Sequence, residues 1–396
     1  MASSLSGPLA GIRVLDFGRY IAGPWCAQLL QGMGAEVIRF ERPSGGEDRG
    51  VFPVGGEGMS AYLIHCNRGK RCVGLNPTKP AGRALVERLV GTADVVVANL
   101  PDDSLAAMGL DWDSVHAVNP RAVLATATTF GTTGPYAGRL GFDGIGQVMS
   151  GAAFLSGEPG HPVKSFAPWV DYGTGANLAF AVMGALMRRS HTNEGTRVEA
   201  SLLGTALAAT GHVLTEQAIA IPNRGPIGNR HPTAGPTDIL ATVDGHVIVQ
   251  VIGNAIFRRW CNATGHAELT DDPRFASDEL RGAHGDELSA IAGTWCASRT
   301  TAEVLTELAA ASVPAGPVLS PQQALDDPHI ASVMLEQASV YGVDHPVPVA
   351  APPFRMSGTS FGVVAPQVGA DTDDVLGDIG VAVEEIATLR AANIIA

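Results

Sequence analysis

The chain has 396 residues, 45% of them apolar, with 48 glycines, 26 prolines and a formal net charge of −13. That length holds one large domain plus a smaller one, and the apolar share supports a sizeable core. The acidic balance excludes nucleic acid as the main partner, because phosphate neutralisation needs a basic surface; a small anion needs only a local cluster of cations.

The N-terminus lacks the basic and apolar regions of a signal peptide, and no charge-free apolar run reaches membrane-spanning length. The five cysteines (Cys26, Cys66, Cys72, Cys261, Cys296) have no CxxC spacing and no accompanying set of ligand histidines. A cytoplasmic protein with reduced, buried thiols and no metal site is expected.

In chain order, residues 12–17 read as a strand, 23–34 as a helix with Pro24 at its start and Gly34 at its end, and 35–41 as a second strand. This βαβ unit implies a parallel α/β sheet. Glu41 stands where a ribose-binding acid of a dinucleotide fold would sit. However, residues 18–23 lack the GxGxxG that lets backbone approach a pyrophosphate, so nicotinamide or flavin is not expected. A loop follows at 43–49, then a strand at 70–75 that opens with Lys70 and Arg71. The helix at 80–90 has Ala81, Leu85, Val86, Leu89 and Val90 on its apolar face. Strands at 93–99, ending in Asn99, and at 123–129 precede a glycine-rich segment, 130–136. The alternation predicts an α/β fold, with a large Rossmann-like parallel-sheet domain over residues 1–220.

Within that domain Asp171 lies ahead of a glycine-bearing turn (Gly173, Gly175) and an apolar run, 176–186, that reads as a buried helix. Taken alone, an Asp there reads as a helix cap, near free N–H groups that favour a carboxylate. Residues 196–203 form a strand leading into another helix. The Gly/Pro-dense stretch 222–236 marks a boundary. A hairpin about Asp244 and Gly245 and helices at 255–264, 287–295 and 301–311 make a smaller α+β domain over 221–325. Residues 326–396, with a last helix at 383–391, are expected to return to the large domain. His161, His212, His231 and His246 lack ligand spacing and read as capping or surface residues, with His231, beside Asn229 and Arg230, the best placed to line a pocket or domain interface.

Several blocks recur together. They are residues 14–17 with Ala22, Gly23 and Pro24, then 34–38, Glu41 to Pro43, 67–71, 93–95 with Asn99, and Gly134 to Tyr136 with Gly141, Phe142 and Asp143. The small-residue segment holding Asp171 and the blocks 228–232 and 313–317 follow. In this order, over nearly the whole chain, they resemble the class III CoA-transferase family (formyl-CoA transferase and carnitine–CoA transferase, CaiB/BaiF). The resemblance implies that Asp171 is the catalytic aspartate. It would attack an acyl-CoA thioester to give a mixed anhydride and CoA thiolate, the thiolate would then form an enzyme–CoA thioester, and an acceptor acid would take the CoA through a second anhydride. It further implies an interlocked homodimer and no tightly bound cofactor, with CoA and acyl-CoA as substrates beside a carboxylic acid. CoA contacts fall on Arg19, Ala22, Arg42, Lys70, Arg71, Asn99 and Arg139.

A carboxylate is a weak nucleophile, so such a mechanism needs orientation and a dry site. Asp171 is expected to stay ionised, with N–H groups around Gly173 to Gly175 stabilising the oxyanion. Three departures stand out. Relatives carry two arginines after the equivalent of Asn99, where this chain has Asp102 and Asp103, which repel a diphosphate. A polyglycine loop is not recognisable, which argues against oxalate or formate. Phe142 stands where the racemase branch has a histidine, and supplies neither acid nor base for α-proton removal. An acyl-CoA racemase or isomerase, and a catalytically idle CoA-binding protein favoured by the lost arginines, are the alternatives.

Overall fold

The computed structural model describes residues 7–396. They divide into two compact units, one comprising residues up to 150 with 165–215 and 328–396, the other 151–164 with 216–327. The grouping of 151–164 with the second unit departs from the sequence reading, which kept those residues in the large domain.

The chain opens with β1 (Arg13–Asp16), α1 (Ala22–Gly32) and β2 (Glu36–Glu41). A single 3-10 turn at Glu47–Gly50 leads to α2 (Ala61–Asn67), β3 (Arg71–Gly74), α3 (Pro80–Val90) and β4 (Val95–Ala98). The short helices α4 (Asp102–Met108) and α5 (Trp112–Val118) follow, then β5 (Val123–Thr128) and α6 (Asp143–Met149). The second unit's first segment holds α7 (Ala152–Leu155) and the two-residue strands β6 (Gly157–Glu158) and β7 (His161–Pro162). After it come α8 (Trp169–Thr192), β8 (Thr196–Ser201) and α9 (Leu202–Ala220).

Six of these strands form one parallel sheet in the order β3-β2-β1-β4-β5-β8. Its register stacks Val14 against Val37 and Val95, and Leu15 against Ile38 and Val96. Since successive side chains point to opposite faces, Val14, Val37, Val95 and Val123 pack on one side with Leu30, Leu178 and Val182 of α1 and α8. Leu15, Ile38, Val96 and Leu124 pack on the other with Leu85, Leu89, Leu105 and Val115. Both faces are covered, which is why these strands read as near-continuous apolar runs.

The second unit is built on the antiparallel hairpin β9 (Thr237–Ala241) and β10 (His246–Gln250), with α10 (Asn254–Thr264), α11 (Asp278–Ala283), α12 (Gly285–Ala297) and α13 (Thr301–Ala310) around Phe257, Trp260, Phe275 and Leu288. Thr300 and Glu303 form a capping box that starts α13. Beyond α13 the chain forms β11 (Ala315–Pro317), a third strand beside β10, and α14 (Pro321–Asp326) ends the unit.

The last segment holds the ribbon β12 (Leu335–Ala338) and β13 (Val347–Ala350), then α15 (Thr372–Asp378) and α16 (Val383–Ala391). It belongs to the first unit, where Leu376, Ile386 and Leu389 join the core under α3. The tail runs beside the end of β3, with the Asn76 N–H donating to Ile394 O at 2.8 Å.

Candidate active site

The carboxyl ends of the parallel strands open on a cavity of about 1240 Å³. Its wall is the chain that follows each strand: Arg19 and Ala22 after β1, Arg42 and Glu47 after β2, Asn76 and Lys79 after β3, Asn99 after β4, and Thr128, Thr129 and Gly131 at the end of β5. From β1 the chain adds β2 and β3 on one side and then crosses to β4 on the other, and open α/β sheets bind ligands in the crevice at such a switch point.

Asn99 bridges that crevice. Its Nδ2 donates to Arg19 O at 2.9 Å and its Oδ1 accepts the Arg19 N–H at 2.6 Å. The two-point tie fixes a tight turn in which Tyr20 adopts φ 59°, a conformation costing on the order of 1 kcal/mol for a residue with a side chain. Gly18 in the same turn cannot be replaced without movement, because a Cβ there would lie 2.6 Å from Pro24 Cδ.

Asp171 sits in the first turn of α8, which begins at Trp169, so Gly173 and Gly175 are helical rather than part of a preceding turn. Their N–H groups lie beyond the free donors of the helix start and are not available to an oxyanion, contrary to the sequence expectation. Gly175 serves close packing instead, since a Cβ there would lie 2.7 Å from Ala22 O.

The capping role suggested for Asp171 belongs to Asp143 on α6. One Asp143 oxygen accepts the N–H groups of Val170 at 2.8 Å and Asp171 at 3.1 Å. The other accepts from Gln147 Nε2, and Gln147 Oε1 accepts the Ser165 N–H at 2.8 Å. Both side chains are buried. Relieved of capping, the Asp171 carboxylate faces the cavity and has no hydrogen bond or ion pair among the described residues. Burial first, and the Asp143 charge second, push its pKa up to about 7. The expectation of a fully ionised Asp171 is therefore corrected: with no opposing cation, the carboxyl is about half protonated near neutrality.

Aromatic rings pack in the core beside Asp171's neighbour Tyr172 rather than on the cavity wall. Trp25 meets Tyr172 edge-on at 5.3 Å and stacks on His65 at 5.1 Å. Burial lowers the His65 pKa to about 4, so it adds no charge at neutrality.

Of the expected CoA contacts, Arg19, Ala22, Arg42, Asn99 and Arg139 line the cavity with Asp171. Arg19 Nη1 donates to the carbonyls of Phe17, Gly18 and Phe40 at 2.9–3.0 Å. Arg42 is exposed and pairs with Glu47 at 2.9 Å. Arg139 lies 4.2 Å over the Tyr136 ring. Lys70 and Arg71 are not in this group. Lys70 is fully buried, its Nζ donating to Asp16 Oδ2 at 2.7 Å, Pro24 O at 2.8 Å and Asn67 Oδ1 at 2.9 Å. Arg71 pairs with Glu36 and Asp378, each at 2.8 Å. Lys70 precedes β3 and Arg71 is its first residue, whereas the cavity lies past its other end.

Lys79, exposed and lining the cavity, is the cation that the sequence reading missed. Its signal was its position just beyond a strand's carboxyl end. Asp102 and Asp103 also line the cavity, in the first turn of α4, where free N–H groups partly offset their charge. Phe142, at the racemase-histidine position, packs edge-on to Tyr20 at 5.7 Å. His231 makes a local turn in the second unit, its Nδ1 accepting the Thr233 N–H at 3.2 Å. All five cysteines are free and buried. Among the described residues no cluster of His, Cys, Asp and Glu could hold a metal ion, and no helix is long and apolar enough to cross a membrane.

The family model for CoA-transferase family III matches residues 9–372. The succinate–glutarate CoA-transferase of Agrobacterium fabrum is 37% identical over 391 residues, covering 94% of this chain and 96% of its own. The succinyl-CoA–D-citramalate CoA-transferase of Chloroflexus aurantiacus is 31% identical over 406 residues, with 98% of each chain covered. A crystal structure of a CAIB/BAIF family protein from Brucella suis superposes with a TM-score of 0.82 at 31% identity, over 94% of this chain and all of that one. With a carboxylate facing a cavity at the sheet's switch point and these relatives spanning its length, the chain belongs to CoA-transferase family III and moves CoA between an acyl-CoA and a carboxylic acid.

Proposed function

We propose that Asp171 is the nucleophile that takes the donor acyl group as an anhydride and then carries CoA as a thioester, and that the acids exchanged are short dicarboxylic acids. The observation that carries the first part is the Asp171 carboxylate itself: in the first turn of α8, facing the cavity, with its helix capped by another residue. A carboxylate bound to nothing else can use a lone pair on a thioester carbonyl; the C–S bond breaks and CoA leaves as thiolate. That thiolate attacks the Asp171 carbonyl of the anhydride, releasing the donor acid and leaving an enzyme–CoA thioester. A pKa near 7 makes the ionised form more basic, and so more nucleophilic, than an ordinary carboxylate, while keeping about half of it available at neutrality. The substrate class rests on the relatives, named for succinate, glutarate and D-citramalate.

CoA then lies across the switch point, its phosphates toward Arg42, Lys79 and Arg139 and its thiol end toward Asp171. Lys79 replaces a cation missing after Asn99, which supports binding despite Asp102 and Asp103. The long apolar helix α9, with only Leu202, Ala206 and Thr210 buried, supports an interlocked homodimer that covers it in a cytoplasmic enzyme.

The test is to mix the protein with succinyl-CoA, quench, and map the adduct. A CoA thioester on the peptide holding Asp171, converted by hydroxylamine to a hydroxamate, is expected. An adduct on another residue, or none with any donor while transfer proceeds, refutes the assignment.

A further inference from the structure

Glu47 is an acid that lines the cavity beside its cations. Its carboxylate stands at the rim of the cavity, 2.9 Å from Arg42 and 3.6 Å from Arg19 Nε. Of the four cations that line the cavity among the described residues, it engages two. The backbone that presents it is held from behind. Next in the chain, Asp48 is buried and binds Arg39 through both oxygens, at 2.8 and 2.9 Å. Arg49 binds Glu41 through Nε at 2.8 Å and Gly58 O at 2.9 Å. The preceding Gly46 N–H donates to Glu41 Oε2 at 2.7 Å. The 3-10 turn is thus anchored on both sides of Glu47, while the Glu47 side chain itself is 39% exposed.

From this geometry we infer that Glu47 is a resident carboxylate occupying the cations that receive the phosphates of CoA, so that CoA binds by displacing it and leaves as it returns. The inference rests on the proposal that Arg42 and Lys79 face the CoA phosphates. A transferase must bind one CoA ester and release another in each cycle. An anion fixed beside the cradle lowers affinity for both alike, so it weakens binding without favouring either direction. Arg42 is 66% exposed, so its side chain has room to exchange one anion for another without a backbone change. A carboxylate and a phosphate oxygen compete for the same guanidinium N–H groups.

Titration calorimetry of CoA on the full-length protein tests this, using wild type, Glu47→Gln, Arg42→Gln and the double variant. Glu47→Gln should tighten CoA about two- to fivefold, the range of an exposed ion pair. It should also steepen the fall of affinity with added salt. In the Arg42→Gln background most of the gain should vanish. Glu87→Gln, an exposed substitution on α3 with the same change of charge, should leave affinity unchanged. Repeating the titration with 3′-dephospho-CoA identifies the competitor: a gain that disappears assigns the ribose phosphate, a gain that persists assigns the diphosphate, and either supports the inference. If Arg42→Gln weakens CoA while Glu47→Gln weakens it too or leaves it unchanged, Glu47 orients Arg42 instead and the inference falls alone. If Arg42→Gln does not affect CoA, the assignment of the phosphate rim falls and takes the inference with it.

Discussion

Lys70 enters β3 and Lys79 follows it, and the two cations serve opposite ends of the same strand. Lys70 is sealed in the interior with Asp16, Pro24 O and Asn67 as partners. Lys79 is exposed on the cavity wall, its Nζ donating among the described residues to Ala392 O alone, at 3.3 Å. The first fixes where α1 begins relative to β1; the second has donors left for a ligand. A cation becomes available to substrate according to which end of a parallel strand it occupies, because the crevice opens only at the carboxyl ends. A second contrast concerns two carboxylates 28 positions apart in sequence. Asp143 is spent on capping α8, and Asp171 is kept free by that cap.

The contrast between the carboxylates predicts the largest effect. Asp171→Ala should lower CoA transfer by about three orders of magnitude or more, the scale seen when a nucleophile is removed. The measurement is the initial rate with succinyl-CoA and glutarate, alongside a melting curve to show that the fold persists. Turnover near wild type would end the assignment of Asp171.

Lys70→Met should act on stability rather than on CoA binding. It leaves Asp16 buried and unpaired at Lys70's side, at a cost of about 3–5 kcal/mol. Urea unfolding should show the loss, and Asp16→Asn combined with Lys70→Met should recover part of it. A fully stable single variant with weakened CoA would mean that Lys70 belongs to the ligand site after all.

The raised pKa of Asp171 gives a prediction with a defined sign. The folded protein holds a proton on Asp171 that the unfolded chain releases between its ordinary value of 3.8 and about 7. Stability from this group is therefore full below 3.8, declines as pH rises, and is lost above about 7. Asp171→Asn has no such decline. At pH 8 it should be more stable than wild type by about 1–3 kcal/mol, and the gap should close as pH falls toward 4. The single-turnover rate of acylation by succinyl-CoA should rise with pH through about 7, and Asp143→Asn should move that midpoint downward. A midpoint that stays in place would mean that burial alone sets it.

The βαβ alternation and the covered sheet were legible because buried parallel strands leave long apolar runs bounded by turn residues, as at 93–99 and 123–129. Asp171 was legible as a residue of interest, but its helix was read as starting late, because Gly173 and Gly175 look like a turn when the neighbours they pack against, Thr205 on α9 and Ala22 on α1, are invisible. Lys70 was misassigned for a related reason. Its partners Asp16, Pro24 and Asn67 lie 54, 46 and 3 positions away. Only the three-dimensional register shows that they saturate its three donors. Asp143 and Gln147 escaped notice because a cap supplied from another helix leaves no local spacing.

The smallest effect is also the sharpest comparison along β3. Lys79→Gln removes a charge from the cavity wall without disturbing a buried partner, so folding should be unchanged. CoA should bind about three- to tenfold more weakly, the cost of one partly solvated phosphate contact. Arg71→Gln removes the same charge at the other end of the strand, where Glu36 and Asp378 already neutralise it. Because screening between charges is weakest at low ionic strength, low salt is the stringent condition. There Lys79→Gln should show its greatest loss, and Arg71→Gln should still match wild type in CoA affinity while losing some stability. Equal weakening by both would show that CoA senses only the overall charge of the protein, and the distinction between the two ends of the strand would then have no functional content.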